Sequence, residues 1–147
     1  MDCVFCAIVD GQLPAHIVHE DEYFLVLLDI FPLRPSHVLI VAKGHAPLLG
    51  DLPAEPRDAL LALADRVARA LYRSDPAVLG INLLLNDGPA ANQHVPHLHL
   101  HLIPRRARDL PALCWRTLTR FLPLGRKRIE ARLAGEAERL RAALREA

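Results

Sequence analysis

The sequence predicts an α+β fold: one domain with a mainly antiparallel sheet of about five strands, a long central helix and a C-terminal helical extension. Two clusters of strand-like apolar runs are separated by one stretch with helical periodicity. Turn residues connect the runs of the first cluster closely, which favours antiparallel pairing. The length of 147 residues fits a single domain. We place its body in residues 1–110 and the helical extension in residues 111–147.

The first strand cluster follows a short apolar segment. Residues 3–9 predict a short helix, which Gly11 and Pro14 would end. Three strand-like runs come next, at Ile17–His19, Tyr23–Leu28 and His37–Ala42.

The longest helix expected in the body begins at Ala54. Its apolar residues recur at helical spacing at Leu60, Ala64, Val67 and Leu71. The second strand cluster consists of Val78–Leu85 and Val95–Ile103, which are joined by a loop over Asn86–Gln93.

Beyond Arg105 the chain is helical again and rich in arginine. One apolar stripe is formed by Ile129, Leu133, Ala137, Leu140 and Leu144. Gly135 costs this helix about 1 kcal/mol relative to alanine and is a candidate break. We expect Cys114 to be a buried core thiol.

Charge and composition narrow the classes of partner. The formal net charge of +1 provides no strong field, so we expect neither a nucleic-acid nor a membrane partner. No stretch approaches the roughly 18 apolar residues of a membrane span, and the first apolar segment lacks the basic start of a leader peptide. We therefore expect a cytoplasmic protein. Three cysteines are a poor disulfide framework, whereas a Cys-x2-Cys pair in a reducing compartment favours metal binding or redox chemistry.

Three histidines alternate with leucines near residue 100. In an extended strand His97, His99 and His101 line one face, and the intervening leucines line the other. The histidines could simply form the polar face of a half-exposed strand. One ion held by all three is improbable, because the outer two lie about 13 Å apart along a strand.

Acid–base or nucleophilic chemistry by imidazole is the remaining interpretation. A neutral central histidine whose Nδ1–H is held by a backbone carbonyl would present a bare Nε2 as a nucleophile. The flanking imidazoles could then donate hydrogen bonds to an anion. Such a set suits attack on phosphorus, where positioning and charge stabilisation supply most of the catalysis.

The histidine run, with the segments around it, strongly resembles the histidine triad (HIT) family of nucleotide hydrolases and transferases. The resemblance covers about residues 3–106 and rests on Cys3–Cys6, Glu20–Glu22, Leu28–Ile30, Pro35–His37, Lys43–His45, Asn86–Gly88 and Gln93–Arg105. It implies that residues 1–110 form a HIT-like nucleotide-binding domain. It also implies a purine nucleotide substrate, either a nucleoside phosphoramidate or a dinucleoside polyphosphate, and a homodimer.

The resemblance assigns a role to each matched residue. His99 would attack the α-phosphorus to form a nucleotidyl-histidine, His101 would contact the phosphate or leaving group, and His97 would orient the site. Asp29 would hold the ribose hydroxyls. The base would be walled by Ile30, Leu27, Phe5 and Ile8, and the phosphate region would be addressed by Asn86, Gln93 and His94.

Three positions depart from the family pattern. Asn92 and Ser36 stand where glycine is common, and His94 stands where serine or threonine usually helps to bind phosphate. An imidazole at position 94 could replace the hydroxyl as a pH-dependent donor, or it could face solvent. The departures motivate a competing hypothesis: a nucleotide-binding or zinc-stabilised interaction module with little turnover.

The resemblance also implies a structural zinc site. Some bacterial members bind zinc through residues that correspond here to Cys3, Cys6, His45 and His97. A complete Cys2His2 set leaves no open position, so this zinc would be structural and not catalytic. The alternative is that the two cysteines pack in a short apolar helix without metal.

Overall fold

The computed structural model describes residues 2–146, and a five-stranded antiparallel sheet lies at their centre. The strands are β1 (Ile17–Glu20), β2 (Phe24–Leu28), β3 (Val38–Ala42), β4 (Gly80–Leu85) and β5 (His99–Arg105). The helices are α1 (Val4–Val9), α2 (Ala54–Ser74), α3 (Leu110–Thr119) and α4 (Arg126–Arg145). In space the strands follow the order β1-β2-β3-β5-β4. The predicted α+β architecture is confirmed.

The two faces of the sheet are covered differently. One face packs against α2 and α4, where Val26, Ile40 and Leu102 are completely buried. The other face carries a smaller apolar cluster, in which Leu27 and Leu39 lie near α1. Both faces of β2 and β3 are therefore buried, which is why these strands are continuous apolar runs without alternation.

Strand β5 begins later than predicted. We expected a strand from Val95, but the ladder starts at His99. Pro96 has no N–H to donate, and the His97 N–H bonds the carbonyl of Val95 in a tight turn (2.8 Å). His97 consequently lies before the strand, and its side chain is not part of the β5 face that carries the other two triad histidines.

The predicted break at Gly135 is wrong, because α4 runs through it without interruption. Leu133 and Ala137 on either side are buried in the core shared with α2. Burial of the whole apolar stripe outweighs the roughly 1 kcal/mol that one glycine costs a helix.

Helix α3 is largely exposed, and the prediction that Cys114 is a core thiol is wrong. Its side chain is exposed, as are Trp115 and Leu118. The core of the domain is already covered by α2 and α4, so α3 lies at the periphery instead. No helix within residues 2–146 combines the length and apolar character needed to cross a membrane.

Candidate active site and metal centre

The His99 imidazole presents a bare nitrogen to a cavity. Its Nδ1–H donates to the carbonyl of His97 (2.7 Å), and a neutral ring has only one N–H, so Nε2 keeps its lone pair. Burial lowers the pKa of His99, which keeps the ring uncharged at neutral pH. The ring also packs against Phe5 of α1, with centroids 4.8 Å apart. A neutral imidazole with a free lone pair on Nε2 can act as a nucleophile.

The neighbouring His101 has the opposite tautomer, set by a chain of hydrogen bonds. The Leu33 N–H donates to Nδ1 of His37 (3.0 Å), so the proton of His37 is on Nε2. That Nε2–H donates to Nδ1 of His101 (2.9 Å). Because Nδ1 of His101 accepts this hydrogen bond, the single proton of its neutral ring is on Nε2. His101 can therefore donate a hydrogen bond to a group that lies beside His99.

Burial keeps both members of this chain uncharged. It lowers the pKa of His37 to about 4 and the pKa of His101 to about 3, and the nearby imidazoles lower the latter further. Sequence reasoning quoted His37 within a motif but assigned it no role. The register could have revealed it, because Leu39 pairs with His101 and residues 37 and 39 of an extended segment share a face.

Asp29 closes the polar end of the site. Its Oδ1 accepts the Phe31 N–H (2.8 Å), and its Oδ2 accepts from the Arg120 guanidinium (2.7 Å) and lies 3.6 Å from Nε2 of His37. Burial opposes ionisation of Asp29, yet the Arg120 guanidinium and the hydrogen bond from the Phe31 N–H hold its pKa below the ordinary value. Asp29 is thus a buried carboxylate.

His99, His101, Asp29 and Arg120 line a cavity of about 720 Å³. The predicted site residues that line it are Phe5, Ile8, Leu27, Asp29, Ile30, Asn86, His94, His99 and His101. The apolar members come from α1, β2 and the segment after β2, whereas the imidazoles come from β5 and the segment before it. The cavity therefore has an apolar wall next to a polar wall that carries His99 and His101, a combination typical of small-molecule sites.

Two predicted residues lie elsewhere. Gln93 does not line the cavity. Its side-chain amide forms two hydrogen bonds with backbone groups: Oε1 accepts the Gly88 N–H (2.9 Å), and Nε2 donates to the Pro47 carbonyl (2.6 Å). Gln93 therefore braces the loop that carries Asn92 and His94. The second is His97, which faces a separate cluster and not the cavity.

Cys3, Cys6, His45 and His97 come together in that cluster. His97 Nδ1 lies 3.3 Å from Cys3 Sγ, 3.5 Å from Cys6 Sγ and 3.2 Å from His45 Nδ1. Cys6 Sγ lies 3.3 Å from His45 Nδ1. Tetrahedral zinc bonds of about 2.0–2.3 Å place such ligand atoms about 3.3–3.8 Å apart, so the spacing fits a zinc ion.

The tautomer of His97 fits a metal as well. Its Nε2–H donates to the Ala42 carbonyl (2.6 Å), which leaves Nδ1 with a lone pair toward the sulfurs. This hydrogen bond fixes the ring on β3, while Cys3 and Cys6 belong to the start of α1. An ion bound here would connect α1 to the loop segment that precedes β5.

A second group, Asp29, His37 and His101, also has its ligand atoms within 4.8 Å of one another. Its hydrogen bonds argue against metal binding. Nε2 of His37 carries the proton that it donates to His101, so no lone pair on that ring remains free. We interpret this group as a proton-holding network.

Two departures from the family pattern have a backbone explanation. Ser36 and Asn92 adopt left-handed conformations, with φ of 63° and 61°. Glycine adopts this region without steric cost, and asparagine tolerates it better than most residues. The turns are therefore preserved although the glycines are absent. His94 is exposed yet lines the cavity, with its ring 5.7 Å from that of Phe121.

The C-terminal extension supplies cavity residues that sequence reasoning missed. Thr117, Arg120 and Phe121 all line the cavity, and the Phe121 ring lies 5.4 Å from that of Phe31. Arg116 Nε donates to the Pro32 carbonyl (3.1 Å), which fixes α3 on the segment after β2. No motif marked these residues, because their approach to the site depends on how α3 packs.

Comparisons with known proteins match both the body and the extension. The family model of the HIT domain matches residues 10–108. An adenylylsulfatase of Arabidopsis thaliana is 38% identical over 74% of this chain and 54% of its own length. An adenosine 5′-monophosphoramidase of Saccharomyces cerevisiae is 36% identical over 71% of this chain and 63% of its own length. The crystal structure of a zinc-bound histidine triad family protein from Mycobacterium smegmatis is 40% identical, with a TM-score of 0.81, over 99% of this chain and 95% of that one.

Proposed function

Because the chain belongs to the HIT family, we propose that it is a hydrolase or nucleotidyl transferase acting on purine nucleoside phosphoramidates or dinucleoside polyphosphates. The bare Nε2 of a buried, neutral His99 inside the cavity is the observation that supports this proposal most strongly. Two relatives named for hydrolysis of adenylyl compounds support the same reaction class.

The reaction proceeds in two displacements at the α-phosphorus. His99 Nε2 forms a bond to phosphorus while the bond from phosphorus to the leaving nitrogen or oxygen breaks. The His101 Nε2–H donates a hydrogen bond to the departing atom, which takes its proton from water, and His37 holds the ring through Nδ1. Water, or another acceptor in a transferase, then attacks phosphorus, loses a proton to solvent and breaks the bond from phosphorus to His99.

The cavity walls suit a purine nucleotide. Phe5, Ile8, Leu27 and Ile30 offer an apolar slot for the base. Asp29 is the acceptor for the ribose hydroxyls, and Asn86 and His94 face the phosphate region. Gln93 acts indirectly, by bracing the loop that carries His94.

A covalent adduct tests the proposal directly. The protein is mixed with adenosine 5′-phosphoramidate, quenched in acid within seconds, and searched by mass spectrometry for an adenylyl group on His99. His99→Ala is expected to lose the adduct and to slow turnover by about 10³-fold or more. His19→Ala, a histidine of β1 outside the cavity lining, is the matched control and is expected to behave as the unaltered protein does. Full activity in His99→Ala would disprove the assignment.

Calorimetry, combined with the adduct experiment, distinguishes the enzyme from the competing hypothesis of a nucleotide-binding module. If calorimetry detects nucleotide binding while no substrate of either class is turned over, the protein is a nucleotide-binding module. An adduct that turns over identifies an enzyme.

We further propose that Cys3, Cys6, His45 and His97 hold a structural zinc ion. The support is their mutual spacing, the lone pair on Nδ1 of His97 and the zinc-bound relative. A bound zinc ion would cross-link α1 to the segment before β5. The four protein ligands would complete its tetrahedral coordination and leave no open coordination position for catalysis.

A homodimer is the proposed assembly. β4 is the last strand of the sheet order, so one of its edges pairs with no strand among residues 2–146. Leu83 and Leu84 of β4 are exposed, and so is Leu79 just before the strand. An exposed apolar edge strand favours pairing with a second copy.

A further inference from the structure

Arg120 places a positive charge inside the cavity from outside the region that the HIT domain model matches. The match ends at residue 108, whereas Arg120 follows α3. Its side chain is only 16% exposed and lines the cavity together with His99 and His101. Its partner Asp29 lies 3.6 Å from Nε2 of His37, which in turn bonds Nδ1 of His101 (2.9 Å). The guanidinium is therefore close enough to influence the reacting groups.

The Arg120 guanidinium has a buried N–H without a hydrogen-bond partner in the described part of the chain. One terminal nitrogen donates to Oδ2 of Asp29 (2.7 Å). Its Nε is buried and has no hydrogen-bond partner within residues 2–146, and the same is true of one terminal nitrogen of Arg116. Unpaired buried donors of this kind are uncommon in native proteins and call for a partner.

Positive charge around Arg120 exceeds the negative charge in contact with it. Burial, followed by the charges of Arg120, Arg126 and Arg132, lowers the pKa of Arg116. Asp29 is the carboxylate paired with Arg120 in the described part of the chain. In the proposed function that same carboxylate is required by the ribose hydroxyls. A nucleotide that engages Asp29 would release the guanidinium next to the triad.

We propose that Arg120 is a specificity-determining residue that binds an anionic leaving group. This inference rests on the proposed function and narrows its substrate class. When the ribose hydroxyls take Oδ2 of Asp29, Arg120 turns to the group beyond the α-phosphate. Its planar donors match a phosphate or sulfate. The preferred substrates are nucleotides whose α-phosphate is joined to another phosphate or to sulfate, in preference to those joined to an amine.

The chemistry of the leaving group explains the preference. Breaking a phosphorus–oxygen bond to phosphate or sulfate moves negative charge onto the departing oxygen, and a fixed cation stabilises that charge. An amine leaves as a neutral molecule once it has taken a proton from water, and it gains nothing from the guanidinium.

Arg120→Gln and Arg120→Lys test the inference against Arg128→Gln, an exposed arginine of α4. We expect Arg120→Gln to lower kcat/KM for a diadenosine polyphosphate by about 10- to 100-fold, the effect of one charged hydrogen-bonding partner. The value for adenosine 5′-phosphoramidate should change less than about threefold. Arg120→Lys should restore part of the loss, because it keeps the charge, and the control should change neither value. Thermal melting establishes that each variant is folded.

Binding supplies a second readout that does not depend on turnover. In calorimetry the β-phosphate of ADP stands for the anionic leaving group, and AMP lacks it. Arg120→Gln should weaken ADP binding by about 10-fold or more while leaving AMP binding within about threefold.

Each outcome has one meaning. Equal losses for both substrates and both nucleotides, or no loss for either, would overturn the role of Arg120 while leaving the proposed function intact. If instead the unaltered protein forms no His99 adduct with either substrate class, the proposed function fails and this inference falls with it.

Discussion

At the scale of single residues, three imidazoles within five positions acquire three different chemical characters from their hydrogen-bond partners. His97 donates through Nε2 to the Ala42 carbonyl and keeps Nδ1 for the sulfurs. His99 donates through Nδ1 and keeps Nε2 for the cavity. His101 accepts at Nδ1 and keeps a proton on Nε2. In the proposed function these proton positions suit one ring to bind a metal, one to act as a nucleophile and one to donate a hydrogen bond, because the hydrogen-bond partners of the three rings differ.

The buried imidazoles make stability depend on pH in a defined window. The pKa of His37 is about 4 in the folded protein, below the ordinary value near 6.5. The unfolded chain therefore binds more protons between these values, so this contribution to stability is complete above pH 6.5 and is lost as the pH falls toward 4.

His37→Gln isolates this contribution. We expect the variant to be less stable than the unaltered protein at pH 7, and its free energy of unfolding should fall less steeply between pH 6.5 and 4.5. Urea denaturation at four pH values measures both slopes. Parallel slopes would contradict the buried, neutral state of His37.

At the scale of elements, α4 contributes to the core whereas α3 contributes to the site. Leu140 of α4 is almost completely buried in the core that α2 shares, whereas Leu118 of α3 is 81% exposed. The same C-terminal extension therefore has one helix that stabilises the domain and one that places Arg120 at the cavity.

Truncation of one leucine in each helix tests this division. Leu140→Ala should lower the free energy of unfolding by about 2–5 kcal/mol, because it removes buried methyl groups and leaves a cavity. Leu118→Ala should change it by less than about 0.5 kcal/mol. Urea denaturation of the two variants provides the comparison, and similar losses in both would refute it.

At the scale of the whole molecule, the proposed zinc ion connects parts of the chain that are far apart in sequence. Cys3 and His97 are 94 positions apart, yet their ligand atoms lie 3.3 Å apart. Metal analysis should find one zinc per chain, and a strong chelator should lower the melting temperature, because binding to the folded state alone stabilises it.

Cys3→Ser/Cys6→Ser should lose the zinc and the response to chelator, whereas Cys114→Ser, at an exposed cysteine, should keep both. A metal-free unaltered protein that melts at the same temperature with and without chelator would disprove the zinc proposal.

Assembly is the second prediction at this scale. Light scattering should give the mass of two chains for the unaltered protein. Leu83→Glu on β4 should shift the mass toward one chain, since a charge disfavours edge pairing. Leu61→Glu, at an exposed position of α2, should stay dimeric. A single-chain mass for the unaltered protein would contradict the dimer.

The sequence predicted the secondary structure as far as local residue patterns determine it. The strand and helix positions follow from the spacing of apolar residues. The prediction that β5 starts at Val95 was wrong, because a local turn at Pro96 competes with the hydrogen bonds of the sheet. The continuity of α4 through Gly135 was missed because packing against α2 overrides helix propensity.

By itself, the sequence determined the α+β class, the alternation that exposes His99 and His101 on one face, and the cysteine and histidine types that suit zinc. Those features depend on residue type and short-range spacing. Only the tertiary structure decided which nitrogen of each imidazole carries the proton, that His37 backs His101, that Gln93 braces a loop, and that Arg120 enters the cavity. Each of these depends on contacts between segments distant in sequence, whose relative placement is set by packing of the whole core and by no local pattern.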